Sequence, residues 1–419
     1  MMPELDWMNI TNHEYEKVEQ ADDDTDDTPD TPASPPPNNP RLPADPAALS
    51  PFQTKIDAPA CAPVSPSSVA VTLVTIASED RFWTLNHFCS VWEGSLVVAV
   101  FSKNTDISLN LAATSPACSA KIDKGTFIIH VHKPTPDEES NPSLFPINHM
   151  RNDAISLVTT SHYFYIDVDF WPSLGAYEIL HRPSVKEALA ADPKFALVVP
   201  AFERIPVECD PNNANLRKGG TCDDFYSRSM PTMRSDLDKL IKKKKVHVFE
   251  RFVRHAHGST NSNAWMGQRD GQMRDINCVE SNRYEPYFVV MKCSDLPPFQ
   301  EQFTGYGKNK IQHFIHLRHL HYKFAVLGGA FITHFPHAAS DARQNWNEFS
   351  KEDKARLKRD KRKGKELKEE VSDFHRVQMD TLYDEFKKWV RTEVDHKDLE
   401  GEQYTHLCKG TTDDDAIIV

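Results

Sequence analysis

Blocks of β-branched and aromatic residues punctuate the first half of the chain. "VAVTLVTIA" (69–77), "SLVVAVFS" (95–102), "TFIIHVHK" (126–133), "HYFYIDVD" (162–169) and "KFALVVPAF" (194–202) are apolar runs with little alternation. Such runs predict strands buried on both faces. Between them the period changes. "SEDRFWTLNHFCSVWEG" (78–94) opens on serine and acids, carries apolar residues at helical spacing and stops at glycine, which predicts a helix. "NHMRNDAISLVTT" (148–160) predicts a second. Strands alternating with helices imply a mostly parallel α/β sheet with helices on both faces, and ligands of such sheets bind beyond the carboxyl ends of the strands.

The second half is less regular. Residues 205–235, rich in Asn, Gly and Pro, predict an inserted loop, and "KVHVFERFVRHAHGSTNSNAW" (245–265) joins a strand to a polar loop. "YEPYFVVMK" (284–292) and "KFAVLGGAFITHF" (323–335) predict strands. From about 345 the pattern is helical, and residues 374–394 are amphipathic enough to pack on the body. Residues 1–68 are dominated by Pro, Asp, Ser and Ala and cannot bury enough apolar surface to offset their ordering entropy. The expected organisation is a disordered leader (1–68), an α/β domain (69–345), a helical extension packed on it (346–398) and a tail (399–419).

Composition narrows the class. With 419 residues, 39% hydrophobic and 26% charged, the chain suits a soluble globular protein with some disorder. The net charge of −12 is uneven: residues 19–30 are densely acidic, and 351–370 are basic-rich. The acidic balance argues against nucleic acid as the main partner, and the basic stretch reads as a solvated helix face laced with ion pairs. No run of 18 apolar residues predicts a transmembrane helix, and the N-terminus lacks the basic start and apolar core of a secretory signal. Eight cysteines in a chain of this size do not predict a disulfide scaffold. Cys209 and Cys222 flank a Gly/Asn-rich loop and either close it in an oxidising compartment or remain thiols. Asn9-Ile-Thr11 fits a glycosylation sequon within the leader.

The strand at 162–169 ends in Asp167-Val168-Asp169. On an extended chain the two carboxylates share one face and repel unless a positive group sits between them. Two hard oxygen ligands suit Mn²⁺ or Mg²⁺, and such an ion could bridge a diphosphate. "HFIHLRHLH" (313–321) sets His313 and His316 three apart, but no nearby cysteine or acid completes a zinc tetrahedron, so zinc is not expected there.

"FPINHMRNDAISL" (145–157), "YFYIDVDFWP" (163–172), "ALVVPAFE" (196–203), "HGSTNSNAW" (257–265), "YEPYFVV" (284–290), "FTGYGKNKIQH" (303–313) and "FITHFPHAAS" (331–340) follow one another in an order that resembles glycosyltransferase family 49, the family of the LARGE-type glucuronyltransferase domain. The resemblance spans about residues 69–345. It implies a GT-A fold, a Rossmann-like nucleotide half joined to an acceptor half, and inverting transfer from a UDP-sugar to a glycan or glycoprotein acceptor. It places Asp167 and Asp169 in the metal motif, and His334 and His337 in the block that completes the metal shell, with His337 the preferred ligand. Mixed carboxylate and imidazole ligation favours Mn²⁺, with Mg²⁺ the alternative.

The same resemblance puts Pro146, Asn148, Arg151 and Asn152 ahead of the metal strand. Arg151 either reaches the diphosphate or ribose or lies on a helix surface, and Asn148 either offers donors or caps the helix. Gly305 and Gly307 let backbone approach the donor sugar or simply make a turn. Asn309 and Lys310 stand where related galactosyltransferases carry acids, which leaves Glu285 as the candidate base, with a buried pair to Arg283 as its structural alternative. His257, Thr260, Asn261 and Trp265 occupy the acceptor block, where Trp265 either stacks on a sugar or belongs to the core.

The family's animal members are Golgi proteins with an N-terminal membrane anchor. No anchor is visible in this chain, so the expected location is the Golgi lumen by family and the cytoplasm if the sequence is complete. Glucuronic acid is the donor sugar the resemblance favours, with xylose and N-acetylglucosamine as alternatives. The contrasting expectation is a catalytically silent relative that binds carbohydrate or acts as a scaffold.

Overall fold

The computed structural model of the chain describes residues 52–206, 209, 222–251, 253–347, 375–394 and 404–411. The sequon, the acidic tract and the basic-rich stretch at 351–370 lie outside them. The strands are β1 (Val71–Ser78), β2 (Leu96–Phe101), β3 (Phe127–His132), β4 (His162–Tyr165), β5 (Phe170–Pro172), β6 (Phe195–Val199), β7 (Ala201–Arg204), β8 (Val246–Val248), β9 (Met273–Asp275), β10 (Cys278–Val279), β11 (Tyr287–Met291), β12 (Lys323–Leu327), β13 (Ile332–His334) and β14 (His406–Leu407).

Eight strands form one mixed sheet in the order β3-β2-β1-β4-β11-β6-β12-β9. The first four are parallel, β11 is antiparallel to both its neighbours, and β12 runs parallel to β6. This is the mixed α/β sheet expected of a GT-A fold. Its two faces explain the continuous apolar runs. Val71, Leu73 and Ala77 of β1 join Leu96, Val98 and Val100 in one core with Leu85, Phe88 and Leu111. Val74 and Ile76 point the other way, into a core with Val97, Ala99 and the helical Met150, Ala154 and Ile155. A strand whose odd and even residues are both buried has no polar face to show.

A smaller sheet has the order β5-β13-β7-β8. Three sequence blocks that read as single strands feed both sheets. "KFALVVPAF" divides at Pro200 into β6 and β7, because proline has no N–H to continue a ladder. "KFAVLGGAFITHF" divides at Gly328-Gly329 into β12 and β13, and the run through "IDVD" leaves β4 and enters β5. The candidate site lies where these three crossings converge.

Three expectations are corrected. Residues 52–68, assigned to the leader, are fixed to the body: Phe52 packs on Phe386 and Trp389 at 5.3 and 5.2 Å, and the Val64 N–H donates to the Ala190 carbonyl. Residues 404–411, assigned to the tail, include β14, which pairs in parallel with β10. All eight cysteines pair, as Cys61–Cys293, Cys89–Cys118, Cys209–Cys222 and Cys278–Cys408. The physical reason is shared. Cys61–Cys293 and Cys278–Cys408 clamp terminal segments whose own apolar content is too small to hold them, and they span 232 and 130 residues.

Beyond the sheets, the helix His375–Trp389 lays Met379, Leu382 and Phe386 against Phe303, Ile311 and Ile315, the last two on the buried helix Ile311–His319. His313 and His316 lie inside that helix, where His313 Nε2 bonds the Pro297 carbonyl and His316 packs on Trp389.

Candidate active site

The strand expected to carry Asp167 and Asp169 ends before both of them. β4 ends at Tyr165, and the chain turns, with the Phe170 N–H donating to the Asp167 carbonyl at 2.9 Å. The alternation rule of an extended strand therefore does not set how the two carboxylates face.

Asp167 is enclosed. Its Oδ1 accepts from Arg151 Nη2 at 3.1 Å and from the Tyr165 hydroxyl at 2.8 Å. Its Oδ2 accepts from the Tyr287 hydroxyl at 2.7 Å and from Lys310 Nζ at 2.8 Å. Burial opposes ionisation, but Lys310 and Arg151 outweigh it and hold the carboxyl well below the usual carboxylate range. In this structure Asp167 is a hub that ties four elements together, and the ligand atoms that cluster are those of Asp169, His334 and His337.

Asp169 is the opposite case. Antiparallel pairing of β13 with β5 sets His334 opposite Phe170, beside Asp169, and the Phe335 N–H donates to the Asp169 carbonyl. Asp169 Oδ2 stands 3.5 Å from His334 Nε2 and 2.8 Å from His337 Nε2, while its buried Oδ1 has no hydrogen-bond partner. The three residues offer ligand atoms within 4.8 Å of one another. Both histidines, not His337 alone, belong to the cluster. His337 turns Nε2 toward Asp169 Oδ2, while its Nδ1 lies 2.6 Å from the Ala338 carbonyl. An orphaned carboxylate oxygen and two imidazoles suit a divalent transition ion.

Several expected donor contacts are corrected. Arg151 is 1% exposed and donates to Tyr165, Asn148, Asn309 and Asp167, so its guanidinium braces the site from below and cannot reach a diphosphate. Asn148 and Asn309 serve the same brace: Asn148 Nδ2 donates to the Gln300 carbonyl and Asn309 Nδ2 to the Gly305 carbonyl. Pro146 begins the helix Ile147–Ser156 as its N-cap. Asn152 binds the Phe299 backbone and Glu301.

Gly305 and Gly307 have φ of +59° and +95°. A Cβ on Gly305 would fall 2.7 Å from the Ser143 carbonyl oxygen, and one on Gly307 would fall 2.3 Å from the Trp346 ring. The close approach at both is to the chain itself. Gly307→Ala is expected to cost about 1–3 kcal/mol in strain and displaced packing. A lower unfolding midpoint and an altered tryptophan emission would register it.

Of the acceptor block, Trp265 is core: it is fully buried, donates Nε1–H to the Leu327 carbonyl and carries Arg234 over its ring at 3.9 Å. Thr260 bonds the Tyr284 hydroxyl, and Asn261 caps the helix Ser262–Trp265. His257 borders the site, its ring 5.2 Å from Phe249, which also packs on His334. Burial and then the Lys310 charge push the His257 imidazole down to about 3, so it is neutral.

Glu285 stands 3.8 Å from Lys310 Nζ, so its close cation is Lys310, where sequence suggested Arg283. Two residues went unrecognised in the sequence. Glu250, next to Phe249, has a left-handed backbone with φ +50°. Burial, then the Glu285 charge, push its carboxyl up to about 7, against the opposing pull of Lys310. Strained backbone and a perturbed carboxyl together mark functional positions. Arg81, just past β1, reaches His337 Nδ1 with Nη2 at 2.9 Å. Its position beyond a strand's carboxyl end was the available signal for Arg81. No such signal existed for Glu250, whose φ is invisible in sequence.

The profile of the family described as "Glycosyl-transferase for dystroglycan" matches residues 111–372. The chain is 31% identical over 281 residues to the Mus musculus protein "Xylosyl- and glucuronyltransferase LARGE2", a stretch covering 66% of this chain and 36% of that protein. It is 29% identical over 276 residues to the Homo sapiens protein "Xylosyl- and glucuronyltransferase LARGE1", covering 65% and 32%. The chain thus spans about a third of the length of these curated relatives. A solved structure of GalNAc-T7 with UDP, GalNAc and Mn²⁺ aligns with 79% of this chain and 59% of its own, at 10% identity and a TM-score of 0.39.

Proposed function

This chain belongs to glycosyltransferase family 49, and from that membership we propose that it is a metal-dependent inverting glycosyltransferase. It moves glucuronic acid or xylose, the sugars in its relatives' names, from a UDP donor to a glycan hydroxyl. The observation that carries the reading is Asp169, with its orphaned buried Oδ1, between His334 and His337.

These three residues would hold the cation, Mn²⁺ in preference to Mg²⁺ because two of the ligands are imidazoles. Bound there, it would neutralise charge on the leaving diphosphate. Arg81 offers a second positive group at the same edge. Asp167, locked to Arg151, Tyr165, Tyr287 and Lys310, fixes the turn that presents Asp169. The acceptor oxygen attacks the anomeric carbon, the bond to the diphosphate breaks with its electron pair, and the hydroxyl proton passes to a carboxylate. Glu250 is the favoured base. Glu285, whose charge engages Lys310, is better suited to keeping Glu250 protonatable near neutrality.

The four disulfides support an oxidising compartment, in keeping with the Golgi lumen implied by the family. No helix of the described residues is long and apolar enough to cross a membrane. The test is thermal unfolding of the full chain with UDP, UDP-glucuronate, UDP-xylose or UDP-N-acetylglucosamine, with and without Mn²⁺. A Mn²⁺-dependent rise in the midpoint is expected, largest with the true donor. No rise with any of them, in folded protein, would favour the silent carbohydrate-binding relative.

A further inference from the structure

A second constellation of imidazoles and a carboxylate lies at the edge of the main sheet, away from Asp169. His130 and His132 are two apart on β3, the edge strand, and therefore share a face. His149 and Asp153 are four apart on the helix Ile147–Ser156 and also share a face. That helix packs against β1, β2 and β3, which brings the two pairs together. His132, His149 and Asp153 each offer a ligand atom within 4.8 Å of the others.

The separations fit ligands around an ion better than hydrogen bonds. Asp153 Oδ2 stands 3.4 Å from His149 Nε2 and 3.5 Å from His130 Nε2. Four ligands at about 2.0–2.1 Å from a tetrahedral Zn²⁺ lie about 3.4 Å from one another. The tautomer of His149 points the same way. Its Nδ1 lies 2.9 Å from Glu301 Oε2, and donating there turns the Nε2 lone pair toward Asp153. Carboxylates at both ring nitrogens call for positive charge here, which a proton or an ion between Nε2 and Asp153 supplies. Glu138, 3.4 Å from His132 Nε2, provides a second outer carboxylate.

We propose that His132, His149 and Asp153, with solvent in the fourth position, form a binding site for a Zn²⁺-class ion. Two imidazoles and one carboxylate favour zinc over the oxygen-seeking Mg²⁺ and Ca²⁺. The ion would staple the edge strand to the helix that carries Asn148 and Arg151, and so stiffen the brace beneath Asp167 without touching donor or acceptor.

The site is tested by zinc content and affinity, independently of turnover. His337→Ala protein serves as the parent, so that the Asp169 cluster does not contribute. Dialysed against micromolar Zn²⁺ at neutral pH, it is expected to retain about one ion per chain, and Co²⁺ to give the visible band of four-coordinate cobalt. Adding Asp153→Asn or His149→Gln should weaken zinc binding about tenfold or more. Each variant's unfolding midpoint in EDTA should match the parent's, while the midpoint gain from zinc is lost. If one substitution prevents folding, the other two ligand changes, including His132→Gln at the strand edge, give the same comparison. Equal zinc retention by all the variants would overturn the assignment. So would a parent that takes up none, because a proton shared by His149 and the two carboxylates would then account for the cluster.

Discussion

Asp169→Asn and Asp167→Asn are expected to fail in opposite ways, although the residues stand two apart. Asp169→Asn should lower kcat about 10³-fold or more, because the lost cation supplies about 4 kcal/mol or more of charge stabilisation. It should also abolish the Mn²⁺-dependent rise in the unfolding midpoint with UDP. Its metal-free midpoint should stay near that of the wild type, since among the described residues the Asp169 side chain joins His334 and His337 alone. Asp167→Asn removes the anion facing Arg151, whose guanidinium is 1% exposed, and facing Lys310. Breaking a buried pair by deleting one partner costs about 3–5 kcal/mol. That variant should therefore unfold markedly earlier in the absence of any ligand. Thermal scans of both proteins in EDTA, then with Mn²⁺ and UDP, separate the roles. An Asp169→Asn protein that still gains stability from Mn²⁺ and UDP would remove Asp169 from the metal shell.

That division of labour marks the limit of what sequence could reveal. Spacing identified the two aspartates, and the ordered blocks identified His334 and His337, because these are properties of the chain read linearly. The direction of each carboxylate is set by a turn that begins after Tyr165, and no periodicity reports it. Arg151 is similar. Its place ahead of the metal strand was legible, but whether a guanidinium points to solvent or under the sheet depends on Asn148, Asn309 and Tyr165 arriving from other elements. Trp265 became core because β12 ends beside it and its Leu327 carbonyl needed a donor. The sheet's central strands were legible from their unbroken apolar runs, whereas the switch into a second sheet hid in one proline and one glycine pair. Cysteine pairing was the least legible, since partners 232 residues apart share no local pattern.

Glu250→Gln should reduce kcat about 10²–10⁴-fold, the usual contribution of a positioned general base, while leaving donor binding intact. Its effect on pH dependence is the sharper signature. With the carboxyl raised to about 7 by burial and Glu285, the base is half protonated near neutrality. Only the ionised form accepts a proton, so kcat/KM in the wild type should climb as pH rises through about 7 and then level. In Glu250→Gln that rising limb should disappear. Folding carries the converse sign. A carboxyl whose folded pKa lies above its ordinary value of 4.5 contributes stability below pH 4.5, and that contribution is lost as pH rises through 7. Glu250→Gln should thus flatten the decline in midpoint over this range while it removes activity. Glu285→Gln provides the contrast: it takes one anion from Lys310 and one like charge from Glu250, so the rising limb should persist and move to lower pH. A Glu250→Gln enzyme with wild-type kcat beside an inactive Glu285→Gln enzyme would transfer the base's role to Glu285. The left-handed backbone at Glu250 would then have to be explained by the fold alone.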